Sequence, residues 1–170
     1  MKQSTLVLII FFVISCTDRN KLPAPNSNIR NKFEIKIYDS DYSLAYSKIY
    51  KLNEYELSIV FHGEIKGEKD STFFNVKLSN DLAEKLSNID IRHLKSSYVN
   101  ECAYDGSQIF IEFKKDSLVK SVQLSNYYEK SIGSVIEIIN LLVPKEHAIW
   151  YNKKELFESM KRCGIDTSAS

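Results

Sequence analysis

Residues 57–89 read LSIVFHGEIKGEKDSTFFNVKLSNDLAEKLSNI, and this stretch decides the fold. Leu57, Ile59, Phe61 and Ile65 fall on one face of an extended segment, with Ser58, His62 and Glu64 on the other. A period of two predicts a half-buried strand. Lys66-Gly67-Glu68-Lys69-Asp70 is a turn. Phe74, Val76 and Leu78 form the inward face of a returning strand, so the pair predicts an antiparallel hairpin. Ser79 or Asn80 can then cap a helix, because a short side-chain oxygen accepts an orphan backbone N–H. Leu82, Leu86 and Ile89 give that helix its apolar stripe. The unit is ββα.

Working outward, Phe33, Ile35 and Ile37 alternate with Glu34, Lys36 and Tyr38, which predicts another strand. Tyr46 to Leu52 is ambiguous, and Asp90 to Asn100 shows little alternation. Asp105-Gly106 marks a turn. Ile109, Ile111 and Phe113 alternate, Lys115-Asp116 turns the chain, and Leu118 to Leu124 returns. A helix follows from about Lys130 to Val143. Ile132, Val135, Ile136, Ile139, Leu142 and Val143 form one wide face, which Ile138 and Leu141 extend. Pro144 stops it. Residues 149–151 read as a short strand or an ordered loop. A last helix, from about Lys153 to Arg162, buries Leu156, Phe157 and Met160. The expected fold is α+β. An antiparallel sheet of two successive ββα units carries helices on one face, and a C-terminal helix is added. Val76-Lys77-Leu78-Ser79-Asn80 is echoed by Val122-Gln123-Leu124-Ser125-Asn126. Duplication would explain the echo. Convergence at strand-to-helix junctions explains it better, since only junction residues match.

The amino-terminal end has a different character. Met1-Lys2 is followed by an apolar run from Leu6 to Ile14, then Ser15 and Cys16. The run is far shorter than the roughly 20 residues a membrane-spanning helix needs, and it fits the apolar region of a secretory signal. Val13-Ile14-Ser15-Cys16 resembles the lipobox of bacterial lipoproteins, with Val13 where Leu is usual. That resemblance covers residues 1–16. It implies a diacylglyceryl group on the Cys16 thiol, cleavage before Cys16 and acylation of the new amino terminus. Two or three acyl chains make a stable anchor where one is marginal. Thr17 follows the cysteine and Asp18 comes one later. The resemblance therefore implies the bacterial cell envelope, with the outer membrane ahead of the inner, at its periplasmic face or the cell surface. Residues 17–32, with Pro23, Pro25, Asn20, Asn26, Asn28 and Asn31, read as a tether spanning roughly 20 Å. The expected division is signal 1–15, lipidated end and tether 16–32, one domain 33–165 and a tail 166–170.

Charge narrows the partners. The chain carries 23 basic and 22 acidic residues, and the signal segment takes only Lys2 with it. A balanced chain lacks the basic field that draws nucleic acid. Lipidation would consume one of three cysteines and leave Cys102 and Cys163 as an even pair. A disulfide between them would close about 60 residues, a stabilisation of roughly 4 kcal/mol in the chain-entropy account. Two separate thiols are the alternative.

No nucleophile elbow, phosphate loop, dinucleotide fingerprint, C-x-x-C or H-E-x-x-H occurs in the chain. No cofactor and no metal are expected. His62 and Glu64, two apart on one strand face, are the polar pair best placed for acid–base or metal chemistry, with His93 as a third group. An ordinary solvated strand face explains them more simply. Asp90, Arg92 and His93 form a polar cluster, and Asp39 and Asp41 lack the spacing of a calcium loop. Tyr38, Tyr42, Tyr46, Tyr50 and Tyr55 gather early; Tyr127, Tyr128, Trp150 and Tyr151 gather late. Most suit sheet faces and core, and an exposed group of them would mark a contact surface for a protein partner or small ligand. The leading expectation is a non-enzymatic, lipid-anchored binding module; one form is an inhibitor or immunity-like lipoprotein. The alternative is an envelope hydrolase or metal-dependent enzyme built on His62 and Glu64.

Overall fold

The computed structural model describes residues 32–40, 46–63, 65–103 and 106–167. The signal segment, Cys16, most of the tether, Asp41, Tyr42, Glu64, Asp105 and residues 168–170 lie outside the described residues. The described chain is α+β. Strands β1 (Phe33–Ser40), β2 (Tyr46–Asn53), β3 (Glu56–Gly63), β4 (Ser71–Lys77), β5 (Ser97–Val99), β6 (Gln108–Lys115) and β7 (Leu118–Ser125) form one sheet. Their order is β4-β3-β2-β1-β6-β7-β5. Helices α1 (Asn80–Ser87), α2 (Lys130–Leu142) and α3 (Lys153–Arg162) complete it, with a 3-10 turn at Lys145–His147. None of these helices is long and apolar enough to cross a membrane.

Register explains the core. Phe74, Ile59, Tyr50, Ile37, Ile111 and Val122 stand opposite one another in a row across six strands. Side chains two apart share a face, so this row and its neighbours make one apolar surface. Leu86 of α1 and Ile132, Val135, Ile136 and Ile139 of α2 join the same buried cluster. Ser79 caps α1, its side chain accepting the Leu82 N–H. Glu129 caps α2, its carboxylate accepting the Ile132 N–H at 2.8 Å.

Several local expectations are corrected. The sheet is larger than two hairpins and is not wholly antiparallel, because β5 runs parallel to β7 at one edge. Its strand is only three residues long, too short for a period to show in the sequence. Residues 46–52 are a full strand whose alternation was hidden: Lys48 occupies an inward-facing register while Ile49 faces the other side. Ile65 sits in the turn and is 60% exposed; Leu141 is 78% exposed on the outer side of α2. Phe157 is only half-buried. Of the two expectations for residues 149–151, short strand or loop, the structure has the loop.

A smaller cluster holds α3. Leu156 and Met160 are buried beside Tyr128, at roughly 1.5–3 kcal/mol each for burying such side chains. The Tyr128 ring stacks on Tyr151 at 5.2 Å and meets Phe157 edge-on at 5.0 Å.

Candidate functional site

The chain leaves β5 and crosses the end of β7 before it enters β6. Three hydrogen bonds pin that crossing to β7: Asn100 N–H to the Ser125 carbonyl at 3.0 Å, Asn126 N–H to the Ser107 carbonyl at 3.0 Å, and Asn126 Nδ2 to the Ala103 carbonyl at 3.3 Å. Asn126 takes φ 51°, a conformation that Asn tolerates better than most residues. Gly106 takes φ 137°, which strains any residue with a Cβ, and a Cβ there would also meet Asn126 Oδ1.

Opposite this crossing stands α3, started by Asn152. Its Oδ1 accepts the Lys154 and Glu155 N–H groups at 3.1 and 3.2 Å. Between the crossing and α3 lies a cleft of about 610 Å³. Cys102, Trp150, Glu155, Glu158, Arg162 and Cys163 are among the residues that line it. Trp150 is 52% exposed. It is presented rather than loose: Asn140 clamps the preceding residue, donating to the Ile149 carbonyl and accepting its N–H, both at 2.8 Å. Ile149 is buried, so the next side chain points away from the core.

Cys102 and Cys163 come together here as thiols, the first exposed and the second half-buried. The hydrogen-bonded Cys163 thiol pushes the pKa of Cys102 up. Sequence reasoning singled out this pair by number alone and missed the cleft around it. A signal was available in Gly106 and Asn126, residue types that tolerate left-handed backbone.

The histidines are placed apart. His62 lies on the face of the sheet away from the helices, with its Nδ1 2.6 Å from Asp70 Oδ1 and both side chains about half exposed. A shallow groove of about 470 Å³ there is also lined by Lys36, Tyr38, Lys51 and Phe110. Glu64 is outside the described residues. His93 is on the helical side, where its Nε2 is 3.5 Å from Ser131 Oγ and 3.9 Å from Glu129 Oε1. Serine and carboxylate thus face the same ring nitrogen. A relay needs them on opposite nitrogens, so this trio is not arranged as one. The structure does not bring His62 and His93 together. Asp90 pairs with Arg92 through two side-chain bonds of 2.9 Å, which hold its carboxyl well below the usual range on an exposed surface. Among the described residues no group of three or more His, Cys, Asp or Glu is placed to hold a metal ion.

The tyrosines divide. Tyr50 and Tyr128 are buried, Tyr38, Tyr127 and Tyr151 are half-buried, and Tyr55 is exposed at a β-turn. Trp150 is the exposed aromatic that lines the cleft. Comparison with known proteins finds no matching family model, no matching curated protein and no matching solved structure.

Proposed function

We propose that this chain is a lipid-anchored, non-enzymatic binding module of the bacterial envelope that holds a protein partner at the Trp150 cleft. One observation carries the binding part: an exposed tryptophan on a clamped backbone, beside a cleft with a charged border of Glu155, Glu158 and Arg162. Rigid aromatics amid a polar rim are the usual anchors of protein contacts. The envelope part is supported by the likeness of residues 13–16 to a lipobox.

Two outcomes test it. Full-length chain expressed in a bacterium is expected in the membrane fraction, and Cys16→Ser is expected to move it out; equal membrane recovery of both chains would remove the anchor. Affinity capture from detergent-solubilised membranes is expected to enrich a partner. Trp150→Ala should weaken that capture at least about 30-fold, as for an interface hot spot worth 2 kcal/mol. Unchanged capture by the variant would remove the cleft from the reading.

A second reading keeps an envelope hydrolase or metal-dependent enzyme at His62 and Glu64. The carboxylate of Asp70 beside His62 favours it, since an oriented imidazole is a serviceable base. Hydrolysis of envelope-type ester and amide substrates that survives His62→Ala unchanged would eliminate it.

Within the fold, we read β3–β4–α1 and β6–β7–α2 as two ββα units that arose by convergence. The echoed residues play different parts: Ser79 caps α1, whereas α2 is capped by Glu129, beyond the echo.

A further inference from the structure

Asn100 is a bracket between the crossing segment and α3. It is wholly buried. Its Oδ1 accepts the Cys102 N–H at 3.3 Å, which draws the chain into a turn that carries Cys102. Its Nδ2 donates to Ser159 Oγ at 3.0 Å. Cys163 follows Ser159 by four residues and therefore lies on the same helix face. The Cys163 N–H bonds back to the Met160 carbonyl at 3.0 Å, which keeps the helical turn closed around it. Buried Leu156 and Met160 fix α3 against the domain. Groups on both sides thus position the two thiols, and both line one cleft.

We propose that Cys102 and Cys163 form a disulfide that staples the β5–β6 crossing to the end of α3 and sets the shape of the Trp150 cleft. The bond joins segments far apart in sequence whose cysteines line the same cleft, and nearness of the two thiols is what a bridge first requires. The chemistry is thiol–disulfide exchange. Each cysteine gives up its proton, the pair gives up two electrons, and the Sγ–Sγ bond forms. A small-molecule or protein disulfide donor accepts them, its own S–S bond breaks, and it leaves as two thiols. The proposal rests on this corner of the fold and is separate from the anchor and from any partner.

The test uses the full chain carrying Cys16→Ser, which keeps only these two thiols. The folded protein is equilibrated with reduced and oxidised glutathione, acid-quenched, and measured by intact mass and peptide mapping. The expected product is a monomer lighter by two hydrogens, with one peptide pair joined through Cys102 and Cys163. Its thermal midpoint should exceed that of the reduced form by about 10 °C, a gain that Cys163→Ser abolishes. Trp150 is the chain's one tryptophan, so its emission should change between the two forms. Glutathione adducts on either cysteine, a link between two chains, or thiols that persist in oxidised glutathione would overturn the bond. Identical Trp150 emission in both forms would overturn its hold on the cleft.

Discussion

Gly133→Ala destabilises the domain by about 2–3 kcal/mol, although alanine is the better helix former by about 1 kcal/mol. Gly133 is buried within α2. A Cβ on it would stand 2.5 Å from Tyr128 Oη, 2.7 Å from Cζ and 2.9 Å from Cε2. The ring cannot step aside easily. It is stacked on Tyr151, edge-on to Phe157, and covered by the Lys153 ammonium at 5.2 Å. The glycine is therefore a close-approach position, where α2 admits a tyrosine against its backbone, and its helix cost is offset by that packing. Urea unfolding of wild type, Gly133→Ala, Tyr128→Leu and the double variant measures the effect. Alanine should cost much less once Tyr128 is leucine, with a coupling above 1 kcal/mol. A Gly133→Ala chain that is as stable as wild type, or more so, would refute the account.

Above pH 10 the domain loses stability steeply, and Tyr50 and Tyr151 are main contributors. Burial pushes both phenols well above their ordinary value of 10. Tyr50 donates to the His147 carbonyl at 2.6 Å. Tyr151 donates to the Tyr127 carbonyl at 3.1 Å and accepts the Glu129 N–H at 2.8 Å. These folded-state pKa values are raised, so the unfolded chain releases its protons first. The stabilisation is intact below pH 10 and falls as pH rises from there toward the folded values, by up to about 1.4 kcal/mol per pH unit for each phenol. Urea midpoints from pH 8 to 11 should trace the decline, and Tyr50→Phe and Tyr151→Phe should each flatten it. At pH 7 Tyr50→Phe should cost about 1 kcal/mol, and Tyr151→Phe more, because the Glu129 N–H at the start of α2 loses its acceptor. A midpoint that holds level to pH 11 would contradict this.

Much of the fold was legible because strands and helices write their own periods. The β3–β4–α1 stretch, the Ile109–Ile111–Phe113 alternation and the wide apolar face of α2 all appear in the expected places. Legibility failed where an element was too short or its faces were mixed. Three-residue β5 has no period to show. In β2 a lysine shares the inward register with Tyr50 and Leu52 while Ile49 faces outward. At the candidate site, composition offered Cys102 and Cys163 as a pair but not Trp150 as their neighbour. Exposure depends on which way a loop leaves the core, and Asn140 settles that nine residues away from Ile149.

What the sequence by itself determined is local. It set the alternating strands, the helix stripes, a cap at Ser79 or Asn80 and the lipobox likeness that brings Cys16 forward, because each depends on residues within a few positions of one another. Only the tertiary structure decided which distant groups meet. It placed His62 and His93 on opposite sides of the sheet and set Ser131 and Glu129 against one ring nitrogen. It also brought Cys102 to Cys163 through buried Asn100. Those outcomes follow from strand order and from the crossing over β7, and both are properties of the whole sheet that no short window of sequence contains.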